Sequence, residues 1–226
     1  MHLLIPAAGV GKRMGADGNK LLLPLLEHSI MGWTLKAAAA ASSVEWLGII
    51  CQAIDEPAFQ AMVTELGITK PIVFIRGGDT RQDSVNNGLQ ALPAKAEQVL
   101  IHDGARCLAT PALFDRCTAA FADCQGFIAA VPVKDTIKQV NSSGIITATP
   151  DRSQLWAAQT PQGFDVALLK DAHTKGQSHG WTVTDDAALF EKCGLAVHIV
   201  EGEETNLKVT TPVDLAIAEF ILRQRL

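Results

Sequence analysis

Short runs of consecutive apolar residues alternate along this chain with longer stretches where apolar positions recur every three or four residues. The runs at Leu3–Pro6, Leu47–Ala53, Ile72–Arg76, Val99–Asp103, Phe127–Val133, Leu155–Thr160 and Ala196–Glu201 predict strands. Their continuous apolar character predicts burial on both faces, as in a parallel sheet. The intervals between them carry helix punctuation. Ser29 is placed to cap a helix running through five alanines, the best helix formers. Thr110-Pro111 and Thr211-Pro212 each set a hydroxyl N-cap before a proline at the first helical position. Gly67 and Gly194 follow helical runs as C-terminal stops. This alternation predicts a doubly wound α/β fold with helices on both faces of the sheet.

One segment breaks the alternation. Thr136–Val140 and Ile145–Thr149 are β-rich and are joined by Asn-Ser-Ser-Gly, with Gly144 supplying the permissive turn position, which predicts a hairpin arm within 134–154. A two-stranded hairpin is marginal alone in water. The arm must therefore pack on something, either its own domain or a second copy of the chain, through Ile137, Ile145 and Ile146.

At 226 residues the chain is the length of one domain and can bury a core without disulfides or a structural metal. Its 48% hydrophobic content and mean hydropathy of +0.18 exclude disorder. No apolar stretch approaches the ~20 residues of a membrane span, and residues 1–6 carry no export signal. Net charge of -5 and a pI near 5.6 argue against a nucleic-acid partner. The five cysteines, Cys51, Cys107, Cys117, Cys124 and Cys193, form no metal-ligand spacing and are expected to be free thiols in a reducing cytoplasm. His173 and His179 lie in a polar stretch with Gly176 and Gly180 and are expected in a solvated loop.

Chemistry concentrates after the strands. The first strand runs into Pro6-Ala7-Ala8-Gly9-Val10-Gly11-Lys12-Arg13-Met14-Gly15, a turn whose backbone N–H groups can cradle an anion. Met14 breaks the dinucleotide fingerprint, which disfavours an oxidoreductase, while Pro6 and Arg13 break the Walker pattern. What remains is a loop with Lys12, Arg13 and Lys20 against one acid, Asp17. Lys12 reads as a solvated surface lysine, whereas Arg13 and Lys20 bracket the loop and can clamp a polyphosphate from two sides. A second glycine turn, Gly77-Gly78-Asp79-Thr80-Arg81-Gln82-Asp83-Ser84, follows the third strand, where Asp83 or Ser84 would also serve as a helix cap. The fourth strand ends in His102-Asp103-Gly104-Ala105-Arg106. Asp103 is placed either to cap the next turn or to hold Mg²⁺ together with ligand phosphates.

These pieces resemble the 2-C-methyl-D-erythritol 4-phosphate cytidylyltransferases of the non-mevalonate isoprenoid pathway. The resemblance covers PAAGVGKRMG at 6–15, GGDTRQDSV at 77–85, HDGAR at 102–106, PVKDTIK at 132–138, DRSQLWAAQTPQGF at 151–164 and EGEETNLKVTTPVDLAIAE at 201–219. The first two motifs are shared by many nucleotidyltransferases; the last two are far more specific. The resemblance implies a mixed, Rossmann-like α/β fold, a homodimer whose arm reaches the partner's site, and CMP transfer from CTP to methylerythritol phosphate with Mg²⁺. By position it implies transition-state stabilisation by Arg13 and Lys20, metal association of Asp103, and nucleotide contacts from Ala7, Ala8, Gly9, Gly11, Gly78, Asp79, Ser84, Asp103, Gly104 and Arg106. It also implies that Thr136, Arg152, Thr160 and Lys208 surround the acceptor phosphate, with Thr136 and Arg152 offered by the partner's arm.

Three positions depart from the usual pattern. Gly104 and Cys107 stand where alanine and proline are frequent, so a cysteine is expected near the nucleotide, and Leu21 stands where glutamine is common. Two other readings fit the same loops: a ribitol 5-phosphate cytidylyltransferase, and a nucleotide-binding regulatory protein without catalysis. Retention of Arg13, Lys20 and Asp103 together argues against the second.

Overall fold

The computed structural model describes residues 1–9 and 18–226. The chain opens with β1 (His2–Pro6), followed by a small ladder of β2 (Pro24–Leu25) and β3 (His28–Ser29). Next come α1 (Ile30–Ala40), β4 (Trp46–Cys51), α2 (Glu56–Glu65), β5 (Ile72–Arg76), α3 (Arg81–Gln90), β6 (Gln98–Ile101), α4 (Pro111–Ala119) and β7 (Gly126–Pro132). The hairpin β8 (Gln139–Val140) and β9 (Ile146–Ala148) leads into β10 (Trp156–Asp165), α5 (Val166–Ser178), α6 (Ala187–Lys192), β11 (His198–Glu201) and α7 (Pro212–Arg223).

Seven strands form one sheet in the order β11-β7-β10-β6-β1-β4-β5. All neighbours pair parallel except β10, which runs antiparallel to both β6 and β7. The period of two along each strand sends alternate side chains to opposite cores. Leu3, Ile5, Leu47, Ile49 and Leu100 enter a cluster with Ile30, Met31, Leu35, Phe114 and Leu222, under α1, α4 and α7. Leu4, Ile50, Val99 and Ile101 point the other way, to Val85, Leu89, Leu169 and Phe190 under α3, α5 and α6.

The expected strands all form, with one marked change of boundary. β10 begins at Trp156 and continues through Pro161 to Asp165, well past the predicted end at Thr160. A register shift between Ala158 and Gln162 absorbs Pro161, and Gly163 lies against the Phe127 ring where a side chain would not fit. The predicted hairpin also forms, with shorter strands. Asn141 Oδ1 accepts from the Ser143 and Ile145 N–H groups, and Gly144 takes φ +78°. The predicted caps hold at Ser29, Thr110 and Thr211, and Gly67 and Gly194 end their helices with positive φ.

The loop expected around His173 is instead the interior of α5. Val166, Leu169, Ala172, His173 and Gly176 make its buried face, a helical spacing that the small and polar residue types at Ala172, His173 and Gly176 conceal. His173 is fully buried, and only His179 is exposed, at the helix end.

Candidate active site

In the sheet, successive connections leave β1 in opposite directions, toward β4 and β5 on one side and β6 on the other. Open α/β sheets bind ligands at the carboxyl edge of such a switch point. A cavity of about 470 Å³ lies there, and its walls bring together ten of the predicted residues: Ala7, Ala8, Gly9, Lys20, Gly78, Asp79, Ser84, Asp103, Gly104 and Lys208. Gly11 and Arg13 lie outside the described residues.

Lys20 opens a short 3₁₀ turn capped by Asn19, whose side chain bonds to the Leu21 N–H, the Ala7 carbonyl and Asp55. The Lys20 ammonium donates to the Val209 carbonyl at 2.7 Å. It is thereby tied to the segment carrying Lys208. The second glycine turn is held by its own helix. Thr80 caps α3 in a reciprocal box with Asp83, and Ser84 Oγ accepts from the Gly78 N–H at 3.0 Å. Asp83 serves the cap, whereas Ser84 shapes the cavity wall. A Cβ at Gly78 would sit 2.5 Å from Asp83 Cβ, so only glycine lets the turn close this tightly.

Asp103 sits just past β6, with Lys208 Nζ 2.8 Å and Arg106 Nε 3.8 Å from its Oδ2. Burial pushes its pKa up, but Lys208, Arg81 and Arg106 outweigh burial and hold the carboxyl below its usual value. Behind it, the Asp103 N–H donates to Thr160 Oγ1, which lies 3.0 Å from His102 Nδ1. His102 Nε2 faces the Arg106 carbonyl at 3.3 Å. A carbonyl can only accept, so the neutral ring carries its proton on Nε2 and the Thr160 hydroxyl donates to Nδ1. Burial keeps that ring neutral by lowering its pKa to about 4.

Four predicted residues fall outside the cavity wall. Thr160 is buried beneath Asp103 and braces its backbone. Arg106 donates to the Asn206 and Ala158 carbonyls, so it ties the Asp103 turn to β10 and to the Lys208 segment. Thr136 and Arg152 are exposed on the arm, where Arg152 donates to the Lys134 carbonyl. Cys107, expected near the nucleotide, packs instead into the hydrophobic core, which pushes its thiol up to about 12.

The sequence profile of the 2-C-methyl-D-erythritol 4-phosphate cytidylyltransferase family matches residues 1–224. The chain belongs to this family. A family member from Synechocystis sp. is 68% identical over 225 residues, covering 100% of this chain and 98% of that protein. Another from Trichodesmium erythraeum is 66% identical over the full length of both. Among solved structures, the 4-diphosphocytidyl-2C-methyl-D-erythritol synthase of Anaerococcus prevotii superposes with a TM-score of 0.88 at 29% identity, covering 98% and 97% of the two chains. The fold is thus that of this cytidylyltransferase family.

Several wall residues of this family member were not singled out from sequence: Gln52, Arg81 and Thr210. Arg81 lay within the polar glycine turn and was the one with a readable signal. Thr210 is fixed by Asp214, the acid of the α7 capping box; its local pattern reads as a helix start alone.

Proposed function

We propose that this protein transfers CMP from CTP to 2-C-methyl-D-erythritol 4-phosphate, giving CDP-methylerythritol and pyrophosphate. The observation that carries this reading is the cavity in which Lys20, Lys208 and the ionised Asp103 meet Ala7, Ala8, Gly9 and the Gly78–Ser84 turn, in a chain of this family. The acceptor's phosphate oxygen forms a bond to the α-phosphorus of CTP as the bond to the bridging oxygen breaks and pyrophosphate leaves. That nucleophile is already anionic, so the work is alignment and charge neutralisation. Ala7, Ala8, Gly9 and the Gly78–Ser84 turn would hold the nucleotide, and Lys20 would stabilise the developing charge at the α-phosphate. Arg13, by the family resemblance, would act with it. Lys208 would take the acceptor phosphate.

The donor set fits Mg²⁺. Among the described residues no cluster of three or more metal-ligating side chains occurs, and the cavity wall carries two carboxylates, Asp79 and the ionised Asp103, which suits an ion held by one or two carboxylates and substrate phosphates. When bound, Mg²⁺ would neutralise charge on the phosphate oxygens.

The arm is proposed to dimerise the protein and to carry Thr136 and Arg152 to the partner's acceptor site. Its exposed Val140, Ile145 and Ile146 support an apolar contact with a second copy. Five free thiols support a reducing cytoplasmic setting, and no helix among the described residues is long and apolar enough to cross a membrane.

Pyrophosphate release with CTP and Mg²⁺ tests the reading, with methylerythritol 4-phosphate and ribitol 5-phosphate offered in parallel. Preference for the first is expected. Preference for ribitol 5-phosphate would overturn the acceptor, and release with neither would overturn the activity.

A further inference from the structure

Behind the cavity wall lies a buried charge cluster that the reaction above leaves unused. Arg81, the first residue of α3, lines the cavity. Its Nη1 is 2.8 Å from Asp186 Oδ2, and Asp186 Oδ1 is 3.4 Å from His173 Nε2. Asp186 and His173 are both fully buried.

Asp186 stands at the N-cap position of α6 yet makes no capping hydrogen bond. Its neighbour Asp185 does that work, accepting from the Ala188 N–H at 3.2 Å. The Asp186 carboxylate is instead given over to Arg81. Burial pushes its pKa up, but Arg81 and His173 outweigh burial and keep it ionised. A buried ion pair contributes little to stability over an apolar pair of the same shape. What this one does supply is a fixed direction for a long cationic side chain, which would otherwise lose much rotamer freedom on meeting an anion.

We infer that Asp186 and His173 are positioning residues for nucleotide binding that act through Arg81. They lie on α6 and α5, outside the cavity wall, and hold the guanidinium ready for an anionic nucleotide and for Asp103, whose charge it already helps to maintain. The inference rests on the reading of this cavity as the CTP site.

The test is calorimetric binding of CTP with Mg²⁺ to the full chain, together with steady-state kinetics and melting curves. Arg81→Gln and Asp186→Asn should each weaken CTP binding about tenfold to a hundredfold, with KM for CTP rising more than kcat falls. Asp186→Asn added to Arg81→Gln should cost no further affinity, because Asp186 acts only through Arg81. His173→Leu should weaken CTP binding, and His173→Gln, which keeps a polar group beside Asp186, should restore it. If Asp186→Asn alone fails to fold, the double variant, in which no charge is left uncompensated, is compared with Arg81→Gln. Equal CTP affinity supports the inference. A further loss in the double variant, or Asp186→Asn binding CTP as the wild type does, overturns it, and a His173→Leu chain that binds normally overturns the part given to His173. A wild-type chain that does not bind CTP would overturn the functional reading as well.

Discussion

At the scale of single residues, the site is organised around charges whose state is set by their neighbours. Lys20 is held by the Val209 carbonyl, which fits the proposed role of a preorganised cation at the α-phosphate. Lys20→Ala should lower kcat by roughly 10²–10³ with CTP binding largely kept, as for loss of one preorganised donor. Near-normal turnover would remove it from the chemistry. His102 controls a different property. Its folded pKa of about 4 lies below its ordinary 6.5 because burial disfavours the charged ring. Between those values the unfolded chain binds a proton that the folded chain does not, so stability is full above pH 6.5 and erodes as pH falls toward 4. The shift corresponds to about 3 kcal/mol across that window. Urea unfolding from pH 7 to 4.5 should show this slope in the wild type and a flatter one in His102→Gln. Asp103 and Asp186 also favour higher pH, but their lowered pKa values confine the effect to more acid conditions, below the ordinary carboxylate value of 3.8.

At the scale of elements, helix ends do two jobs. In α7, Thr211 accepts from the Asp214 N–H, while Asp214 Oδ2 accepts from Thr210 and Thr211. The same box that starts the helix therefore sets Thr210 in the cavity wall. Thr211→Ala should cost about 1 kcal/mol of stability, seen as a lower urea midpoint with unchanged slope and little change in turnover. Elements of this kind were legible because their signals are local: a hydroxyl before a proline, a glycine after an apolar run, an apolar run of strand length. The Gly78–Ser84 turn and Asp103 were legible for the same reason. What could not be read depends on partners distant in sequence. The contact by which Thr160 braces Asp103 comes from a strand 57 residues away. His173 looked solvated because nothing local distinguishes a polar residue facing water from one facing Asp186. Cys107 follows an exposed-looking motif, yet its side chain turns into the core.

At the scale of the whole molecule, one cavity draws on distant parts of the chain, with Lys20 near the start and Lys208 near the end joined through Val209 and Asp103. Arg152 is the exception. It is exposed on the arm and absent from its own cavity wall, so its proposed role requires a second chain. Complementation separates that arrangement from action within one chain. A Lys20→Ala chain lacks the proposed catalytic cation, and an Arg152→Ala chain lacks the proposed acceptor clamp, so each pure protein should be weakly active. In a two-fold dimer whose arms cross, a mixed dimer has one site with Lys20 from one chain and Arg152 from the other. Random pairing of equal amounts makes half the dimers mixed, and half the sites in those are intact. Mixing, with subunit exchange, should therefore restore about a quarter of wild-type activity per site. The arm's exposed Ile145 and Ile146 provide the control, because Ile145→Asp with Ile146→Asp should abolish both the dimer in sedimentation and the restoration. If Arg152 serves its own chain, every site in the mixture lacks one group or the other, and no activity returns.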